Sequence, residues 1–495
     1  MKGFVFIYGS EIIMRFVATG AFRDIAKKHD LTYVALRASA KMKEGGVDDS
    51  LSSTLEKVKW IPFHRGRFSR NAELFDISCI HYKDRSRSFQ VRCEEQARLE
   101  PERMARLEKL AEPGIFEKHR VAVEDEMGLH PDILALTLRE RPDFYVLPST
   151  LLDYLTDDVL QIASALSIPT LMLVAGWDNL SSKGLIRHQP TLMGVWGEQS
   201  RHHAIEMQST SPERVRVIGA PQYENFTNDP AADRAVIRAE LGVPATGPVL
   251  LFAGTFRLFD ETELLRQVDD AISAGTLPPM HIFYRPHPWR VSRQSEDNFL
   301  EEKWDHITMD PEMAAGYKAA KGLGSTATAD DFAFRMTHLP RVYTAVDATI
   351  SPMSTVLLEA MLFGLPILAL AFSDGKHSWS ADKVSQMTHF KELYEAPNML
   401  VCRSRVDFFP AVRKLVAQVG DKTVSDSLLR STQQFLYRDS QSYSSRVSSL
   451  VDEMLASRAA VPDYDTVKVK PGKRYNQEQM LLRRIWRKAN RVLKN

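Results

Sequence analysis

Residues 347–366 read DATISPMSTVLLEAMLFGLP. Its order of apolar and polar residues predicts a strand, a short loop and a helix. Gly364 and Pro366 end the predicted helix before another apolar run begins. Strands that alternate with helices in this way are typical of parallel sheets with helices on both faces.

The start of this predicted helix carries groups that suit an anion. Ser354 and Thr355 stand where unpaired helix N–H groups and hydroxyls can hold phosphate oxygens. Glu359 lies one turn beyond Thr355 on the same face, where its carboxylate can accept hydrogen bonds from a ribose diol. The stretch therefore indicates a nucleotide-diphosphate site. The alternative is that Ser354 caps the helix and Glu359 is an exposed surface residue.

Length and composition narrow the class of protein. A chain of 495 residues exceeds the size at which one core stops growing, so we expect two domains. A net charge of +1 gives no overall attraction to nucleic acid. Cys79, Cys93 and Cys402 are an odd, widely spaced set that suits reduced thiols. With no secretion signal and no apolar run that could span a membrane, we expect a cytoplasmic location.

Short β-rich runs recur between helical stretches, which predicts an α/β fold with two Rossmann-like domains facing a cleft. The predicted strands lie at 3–8, 31–36, 144–147, 170–174, 192–196 and 215–219 in the first half, and at 249–253, 281–284, 348–351 and 367–372 in the second. We expect a first domain at 1–225, a linker at 226–245, a second domain at 246–440, and C-terminal helices with a basic tail at 441–495.

Two segments of the first half depart from this alternation. Residues 92–127 are dense in Glu and Arg, with Met104, Leu107 and Leu110 at helical spacing, and are predicted to form a helical insertion. Residues 60–90 are aromatic and basic, and we interpret them as a loop that faces solvent.

The tail after residue 468 is strongly basic, with Glu478 as its lone acid. Its apolar residues fall on one helical face, at Leu482, Ile485, Trp486, Ala489, Val492 and Leu493. Such a helix can lie on an anionic membrane surface, where each cation contributes about 1 kcal/mol, or dock on its own protein or on a partner. Nucleic acid is not expected as a partner, because few aromatic residues interleave the charges.

A second motif, YRPHPW at 284–289, follows a predicted strand. Its two prolines restrict the backbone around His287, whose imidazole can donate to a phosphate oxygen, and Arg285 can add a charge-assisted pair. Alone, the motif also fits a rigid turn with a surface histidine. However, Gly254 and Thr255 follow an earlier strand of the same half, and Ser354 follows a later one. Donors from three strand ends can therefore converge on one anion.

These motifs resemble the donor half of two-domain GT-B glycosyltransferases, nearest to the CDP-glycerol glycerophosphotransferases and related surface-carbohydrate transferases. The resemblance runs through most of residues 1–450. Its other motifs are FLYRD at 435–439 with Ser445 and Arg446, and, more loosely, stretches at 13–20, 176–184 and 215–222. The resemblance implies donor phosphate at His287, Ser354 and Thr355, and nucleoside at Glu359.

The acceptor side departs from this family. Where the glycerophosphotransferases have a histidine taken as the base, this chain reads Trp177-Asp178-Asn179. Asp178 follows a predicted strand and can either take a proton from an attacking hydroxyl or cap the next residues. The remaining acceptor-side candidates are Glu11, Arg15, Asn179, Lys183 and Glu198.

No metal is required by this scheme, because helix dipoles, His287 and Arg285 or Lys183 can neutralise the leaving diphosphate. The sole Asp-x-Asp motif, at 463–465, lies in a proline-flanked tail and reads as solvated linker. The sequence also lacks a Gly-x-x-x-x-Gly-Lys loop, a Gly-x-Ser-x-Gly elbow and Cys/His metal spacing.

The sequence therefore predicts a cytoplasmic glycosyltransferase. We expect it to move a sugar from a nucleotide donor to a glycan, lipid-linked or protein-linked hydroxyl, without a cofactor. The donor nucleotide is expected to be CMP or CDP, then UDP, then GDP, and direct displacement with inversion is the simpler mechanism. The alternatives are a CDP-glycerol-type glycerophosphotransferase, a UDP-N-acetylglucosamine 2-epimerase and a non-catalytic nucleotide-sugar-binding scaffold.

Overall fold

The structure is a computed structural model, and it describes residues 1–37, 56–152, 155–227, 233–255, 258–287, 299–316, 338–457, 461–465 and 469. The chain divides into two compact units. Unit 1 comprises Met1–Glu224 together with Leu436–Asn495, and unit 2 comprises Asn225–Phe435. The chain thus leaves unit 1, builds unit 2 and returns to unit 1.

Unit 1 contains a parallel sheet with the strand order β3-β2-β1-β4-β5-β6-β7. Its strands are β1 Lys2–Ile7, β2 Asp30–Leu36, β3 Val58–Ile61, β4 Phe144–Ser149, β5 Thr170–Val174, β6 Leu192–Val195 and β7 Val215–Val217. The strand order turns back between β1 and β4, both of which are almost entirely buried. A strand that is covered on both faces needs apolar side chains on both, which explains runs such as Phe4 to Ile7.

The helices of unit 1 before its last strand are α1 Ser10–Ile12, α2 Arg23–Lys28, α3 Arg65–His81, α4 Arg87–Leu99, α5 Pro101–Ala111, α6 Phe116–Met127, α7 Pro131–Glu140, α8 Thr156–Ala165, α9 Asn179–Ser182 and α10 Glu198–Glu206. A π-helical turn, Ile13–Val17, continues α1. Short 3₁₀ turns lie at Lys83–Arg85, Pro212–Arg214 and Pro221–Tyr223.

The interpretation of residues 60–90 as a solvent-facing loop is wrong. This segment holds the end of β3, the whole of α3 and the start of α4. Helices α3 to α6 share a small apolar core that includes Ile77, Met104 and Phe116. The arginines of this region obscured the helix, because Arg67 is itself buried and pairs with the buried Asp158.

Unit 2 contains a second parallel sheet with the order β10-β9-β8-β11-β12-β13. Its strands are β8 Val249–Ala253, β9 His281–Arg285, β10 Ile307–Met309, β11 Ala348–Pro352, β12 Ile367–Leu370 and β13 Leu400–Cys402. Its helices are α11 Arg234–Leu241, α12 Glu261–Ser273, α13 His338–Ala345, α14 Val356–Leu362, α15 Ala381–Val384, α16 Thr388–Tyr394, α17 Phe408–Ala417 and α18 Lys422–Phe435, with 3₁₀ turns at Phe299–Glu301 and Arg405–Asp407. Here the strand order turns back between β8 and β11.

The returning segment contains helix α19, Tyr443–Ala456, which packs on the core of unit 1 through Tyr443, Val447 and Val451. The Arg446 side chain donates from Nε to the carbonyl of Ile218 at 2.9 Å. Gly219 has φ +78°, and a Cβ there would lie 2.3 Å from the carbonyl oxygen of Tyr437. Glycine is therefore required where the returning chain crosses this loop.

Among the described residues, no helix is both long and apolar enough to cross a membrane. All three cysteines are buried and free. The predicted amphipathic face of the tail, at 482–493, lies outside the described residues.

Candidate functional site

Three loops of unit 2 meet at one edge of its sheet. Gly254 follows β8, His287 follows β9, and Ser354 follows β11. These strands are neighbours, and all of them are parallel, so their carboxyl ends share an edge. Because the strand order turns back between β8 and β11, this edge is the crevice in which α/β sheets bind ligands.

Hydroxyls join the two strands that flank this crevice. Ser351 donates from Oγ to the carbonyl of Ala253 at 2.9 Å, and its Oγ lies 3.0 Å from Oγ of Ser354. Helix α14 then begins at Val356, with Thr355 at the N-cap position. The Thr355 side chain makes no capping hydrogen bond, and both Ser354 and Thr355 are half-buried. The predicted hydroxyls thus lie beside the crevice.

The Gly254–Thr255 loop differs from the sequence-based expectation. The N–H of Gly254 donates to the carbonyl of Arg285 at 2.8 Å, and the N–H of Thr255 donates to Oε1 of Glu261 at 2.7 Å. Both backbone donors are thus engaged within the protein. We therefore correct the expectation that these two N–H groups face a phosphate.

Arg285 is buried at the end of β9 and pairs with Asp310, which is fully buried after β10. Asp310 also accepts from His338 Nε2 at 2.9 Å. Burial alone would raise the pKa of Asp310, but His338 and Arg285 hold it below its usual value. Nη2 of Arg285 is buried without a hydrogen-bond partner among the described residues. Nη1 of Arg285 is therefore bound to Asp310, and the contact of Nη2 with a phosphate remains a prediction.

His287 follows Pro286 at the same edge and is half-buried. Its predicted contact with a phosphate remains a prediction. The residue two positions before it, Arg285, fixes the end of β9 through Asp310. The histidine thus projects from a strand end that is itself held by a buried ion pair.

Glu359 is 6% exposed, so the alternative of an exposed surface carboxylate is wrong. Its Oε2 accepts a hydrogen bond of 2.9 Å from the hydroxyl of Tyr343, a buried residue of α13. Its role toward a ribose remains a prediction, in which Tyr343 would orient the carboxylate.

A further loop, after β12, stiffens this edge. Asp374 accepts hydrogen bonds from the N–H groups of Lys376, His377 and Asp260, at 2.9, 3.0 and 2.7 Å. Burial would raise the pKa of Asp374, but these donors lower it to about 2. Asp260 is the N-cap residue of α12, so one ionised carboxylate ties the β12 loop to the start of that helix.

In unit 1, Asp178 precedes α9 and its side chain makes no capping hydrogen bond. Its Oδ2 instead lies 3.1 Å from Nζ of Lys183 and accepts from the Ser182 hydroxyl at 3.0 Å. Asn179 is buried and donates to Oδ1 at 3.3 Å. These partners orient the carboxylate and stabilise its negative charge.

Glu11 and Arg15 form a partly exposed ion pair of 2.7 Å. Arg15 also donates from Nη1 to the carbonyl of Ala175 at 2.6 Å, which joins the loop after β1 to the loop after β5. Arg15 lies in the π-helical turn Ile13–Val17, a distortion that is frequent at functional sites. Glu198 lies apart from this pair in its contacts: it is exposed at the start of α10 and is 3.9 Å from Arg201.

Two groups of described residues bring three metal-type ligand atoms within 4.8 Å of one another. They are His64, His130 and Asp132 in unit 1, and Asp310, Glu312 and His338 in unit 2. In the second group, Arg285 already places a cation on Asp310. In the first, His64 contacts Asp132, and His130 Nδ1 accepts from the N–H of Ile133 at 3.4 Å. We assign neither group to the reaction.

Sequence reasoning missed the partners that hold these groups. Glu261, Asp310 and Tyr343 each contact a predicted site residue but stand in no motif that names a ligand. The available signal was positional: Asp310 directly follows a short apolar run, as residues at the carboxyl edge do.

Comparison with known proteins gives a fold. No protein-family model matches the chain, and no curated protein sequence matches it. A Listeria monocytogenes structure assigned as a UDP-N-acetylglucosamine 2-epimerase is similar, with a TM-score of 0.50 and 10% identity over 94% of this chain and 98% of that one. Weaker likenesses are Acinetobacter baumannii MurG (TM-score 0.43, 10% identity, 91% and 99% covered) and the wall teichoic acid polymerase TagF (0.36, 12%, 59% and 70%).

At this level of identity the likeness concerns architecture alone. It agrees with the two doubly wound parallel sheets, each with helices packed against it. The chain has the two-unit α/β fold of the GT-B type.

Proposed function

We propose that this protein is a glycosyltransferase that moves a sugar from a nucleotide donor to a hydroxyl of a glycan, lipid-linked or protein-linked acceptor. One observation supports the proposal: β8, β9 and β11 are parallel neighbours, so His287, Ser354 and Thr355 follow strands whose carboxyl ends share the edge where the strand order of unit 2 turns back. Hydroxyls and an imidazole at such a crevice suit the phosphates of a nucleotide.

The chemistry follows from the charge that develops on the donor. As the bond from sugar to diphosphate breaks, negative charge grows on the leaving oxygen, and donors held in place stabilise it. His287, Ser354 and Thr355 would supply those donors, and Arg285 Nη2 can add a charge-assisted contact. No resident metal is required for this role, because the protein's own donors can supply it.

Asp178 of unit 1 would act as the base that takes the proton from the acceptor hydroxyl. Its carboxylate is oriented by Lys183 and Ser182, which is what a base needs in order to meet one hydroxyl. Direct displacement with inversion is the simpler course. The acceptor would then be bound by unit 1, with Glu11, Arg15 and Glu198 as further contacts.

A thermal-shift screen with CMP, CDP, UDP and GDP compounds tests the donor. A ligand at a hundred times its Kd stabilises the protein by about 2.7 kcal/mol. We expect cytidine nucleotides to stabilise most, then uridine and guanosine nucleotides. No stabilisation by any of them would contradict the proposal.

The decisive variant is His287→Ala, with His281→Ala as its matched control. His281 lies at the opposite end of β9 and bonds to Thr308 Oγ1 at 2.9 Å. We expect His287→Ala to lose sugar transfer and nucleotide affinity while keeping its fold, and His281→Ala to keep transfer. Unchanged transfer in His287→Ala would remove the phosphate assignment.

Product analysis separates the alternatives. A transferase releases free nucleotide only when an acceptor is added, whereas a UDP-N-acetylglucosamine 2-epimerase interconverts donor sugars without one. Transfer of glycerol phosphate would identify a CDP-glycerol-type enzyme. Nucleotide binding without either product would identify a scaffold, which the basic tail could tether to an anionic membrane or to a protein partner.

A further inference from the structure

Glu261 is a carboxylate with 0% exposure at the foot of the proposed donor site. It is the first residue of α12, directly after the N-cap Asp260. Its Oε1 accepts from the N–H of Thr255 at 2.7 Å, and its Oε2 accepts from the hydroxyl of Tyr284 at 2.8 Å. One side chain thus joins the loop after β8 to the last part of β9.

The carboxylate of Glu261 occupies the space that a side chain at Gly254 would need. A Cβ on Gly254 would lie 2.2 Å from Oε2 of Glu261 and 2.9 Å from its Cδ. Contacts below about 3 Å do not occur for real Cβ atoms, so a side chain at 254 would have to displace the buried carboxylate. Gly254 and Glu261 therefore form one unit of packing.

We propose that Glu261 is a positioning residue of the donor site. It fixes the Gly254–Thr255 loop on one side and Tyr284 on the other, and Tyr284 is followed at once by Arg285, Pro286 and His287. One buried carboxylate thus holds the loop after β8 and the part of β9 that leads into the loop of His287. This inference rests on the proposed function, because the anchor matters for catalysis only if those loops bind the donor.

The chemistry explains why a carboxylate stands here. The N–H of Thr255 and the hydroxyl of Tyr284 are both donors to Glu261, and an ionised carboxylate offers an acceptor oxygen to each of them. A glutamine at 261 has one acceptor oxygen and one NH₂ group. If its oxygen accepts from the N–H of Thr255, its NH₂ faces the Tyr284 hydroxyl, which must then accept instead of donate; the two hydrogen bonds to a buried negative charge are lost in either orientation.

The test uses the full chain and the nucleotide that stabilises the wild-type protein best in the screen. We expect Glu261→Gln to raise the Kd for that nucleotide and the KM for the donor by roughly tenfold or more, with a smaller change in kcat. The matched control is Glu263→Gln, two residues further on, where the carboxylate is partly exposed and pairs with Lys376 and Arg405. The control should bind as the wild type does.

Two other variants keep the test decisive if Glu261→Gln folds poorly. Gly254→Ala should raise the Kd in the same direction, because its methyl group displaces the carboxylate. The Kd of the Gly254→Ala/Glu261→Gln double variant should be no higher than that of whichever single variant binds the nucleotide more weakly. Both changes disrupt the same contact, so their effects should not add. Tyr284→Phe removes one of the two donors and should give a smaller rise.

The outcomes are distinguishable. Weaker binding in Glu261→Gln and Gly254→Ala, measured well below their unfolding temperatures and without additivity, supports the inference. A lower Tm with unchanged Kd and KM would show a purely structural role and overturn it. If the wild type itself binds no nucleotide, the proposed function fails, and this inference fails with it.

Discussion

The two sheets share one topology but present different groups at the same place. In both, the first strand of the unit lies beside the fourth, and the order turns back between them. In unit 1 this point is filled by Tyr8, which is 7% exposed and whose hydroxyl donates to Thr150 Oγ1 at 3.3 Å. In unit 2 the same point carries the half-buried Ser354 and Thr355. Topology thus specifies where a site can lie, and side chains decide whether it is filled by the protein.

The charges near the two edges differ as well. Around unit 1 they are carboxylates that are each paired with a cation, Glu11 with Arg15 and Asp178 with Lys183. In unit 2, the predicted phosphate ligands are hydroxyls, an imidazole and the guanidinium of Arg285. Carboxylates suit hydroxyl groups and protons, whereas hydroxyl and imidazole donors suit anions. The difference supports a division of labour in which unit 1 serves the acceptor and unit 2 the donor.

The largest expected effect tests whether unit 1 can be weakened alone. Arg67 and Asp158 form a buried pair, with side chains 2% and 6% exposed. Arg67→Met leaves Asp158 as a buried, unpaired charge, so we expect a loss of about 3–5 kcal/mol in the free energy of unfolding of unit 1. Urea unfolding followed by hydrogen exchange, which reports each unit separately, measures it.

The control for this variant is Arg70→Met, whose ion pairs with Glu73 and Glu126 are partly exposed. It should cost at most about 1 kcal/mol. Nucleotide-induced protection in unit 2 should survive in both variants. An equal loss of protection in both units after Arg67→Met would contradict the prediction that this variant destabilises unit 1 alone.

A second test compares how the two units respond to acid. Burial lowers the pKa of His130 from 6.5 to about 4. Between these values the unfolded chain binds a proton that the folded chain does not, so unit 1 should lose up to about 3 kcal/mol as pH falls from 6.5 to 4. In unit 2, the pKa of Asp374 is lowered from 3.8 to about 2, so its contribution is lost only below pH 3.8.

Unit 1 should therefore lose stability at a higher pH than unit 2 does. Hydrogen exchange at a series of pH values measures this order. His130→Asn should flatten the loss in unit 1 between pH 6.5 and 4 while keeping an N-cap side chain for α7. The exposed His202 provides the control variant, His202→Asn, which should leave the profile unchanged. Earlier acid unfolding of unit 2 than of unit 1 would reverse the expected order.

The positions of most strands could be predicted from the sequence, whereas the contacts between distant residues could not. All but three of the strands in the described part of the chain were predicted, with ends within a few residues. The three that were missed are β3, β10 and β13, and each lies at an edge of its sheet; the fourth edge strand, β7, was predicted. Edge strands here are three or four residues long, and a run that short carries little periodic signal.

The candidate site divides in the same way. Motifs at strand ends were visible because proline, glycine and hydroxyl residues leave local signals. The partners that hold them were not visible, since Glu261 and Tyr343 become relevant only when distant elements pack together. Glu359 illustrates the limit: its spacing from Thr355 was readable, but its burial against Tyr343 was not.

Asp178→Asn tests the catalytic half of the division of labour. An amide cannot take a proton from the acceptor, so kcat should fall by about a hundredfold or more, while the Kd for the donor nucleotide should stay unchanged. Steady-state kinetics with nucleotide-binding titrations measures both. Glu206→Gln, at an exposed residue at the end of α10 to which no role is assigned, is the control and should retain most activity. An unchanged kcat in Asp178→Asn would move the base elsewhere.

Ser354→Ala has the smallest expected effect. It tests whether the hydroxyls at the edge of the unit 2 sheet bind a ligand, unlike those at the edge of the unit 1 sheet. If Ser354 donates to a donor phosphate, losing its hydroxyl should raise the nucleotide Kd by about tenfold, or about 1.4 kcal/mol, because a hydrogen bond to a charged group is lost. Isothermal titration with the best nucleotide measures this. Ser431→Ala is the control within unit 2, because Ser431 donates to the carbonyl of Ser427 in its own helix.

The Ser354 hydroxyl lies beside another side chain of the crevice, whereas the Ser431 hydroxyl bonds within its own helix. Ser354 lies 3.0 Å from Ser351, which ties β11 to β8, so its loss could also act through that link. Ser351→Ala, which breaks the link to β8 but keeps the Ser354 hydroxyl, separates the two causes: a direct phosphate contact predicts that it binds the nucleotide and inorganic pyrophosphate more tightly than Ser354→Ala does. If Ser354→Ala binds both ligands as Ser431→Ala does, then the hydroxyls at this crevice only join strands, as Tyr8 and Thr150 do in unit 1, and the two edges are alike.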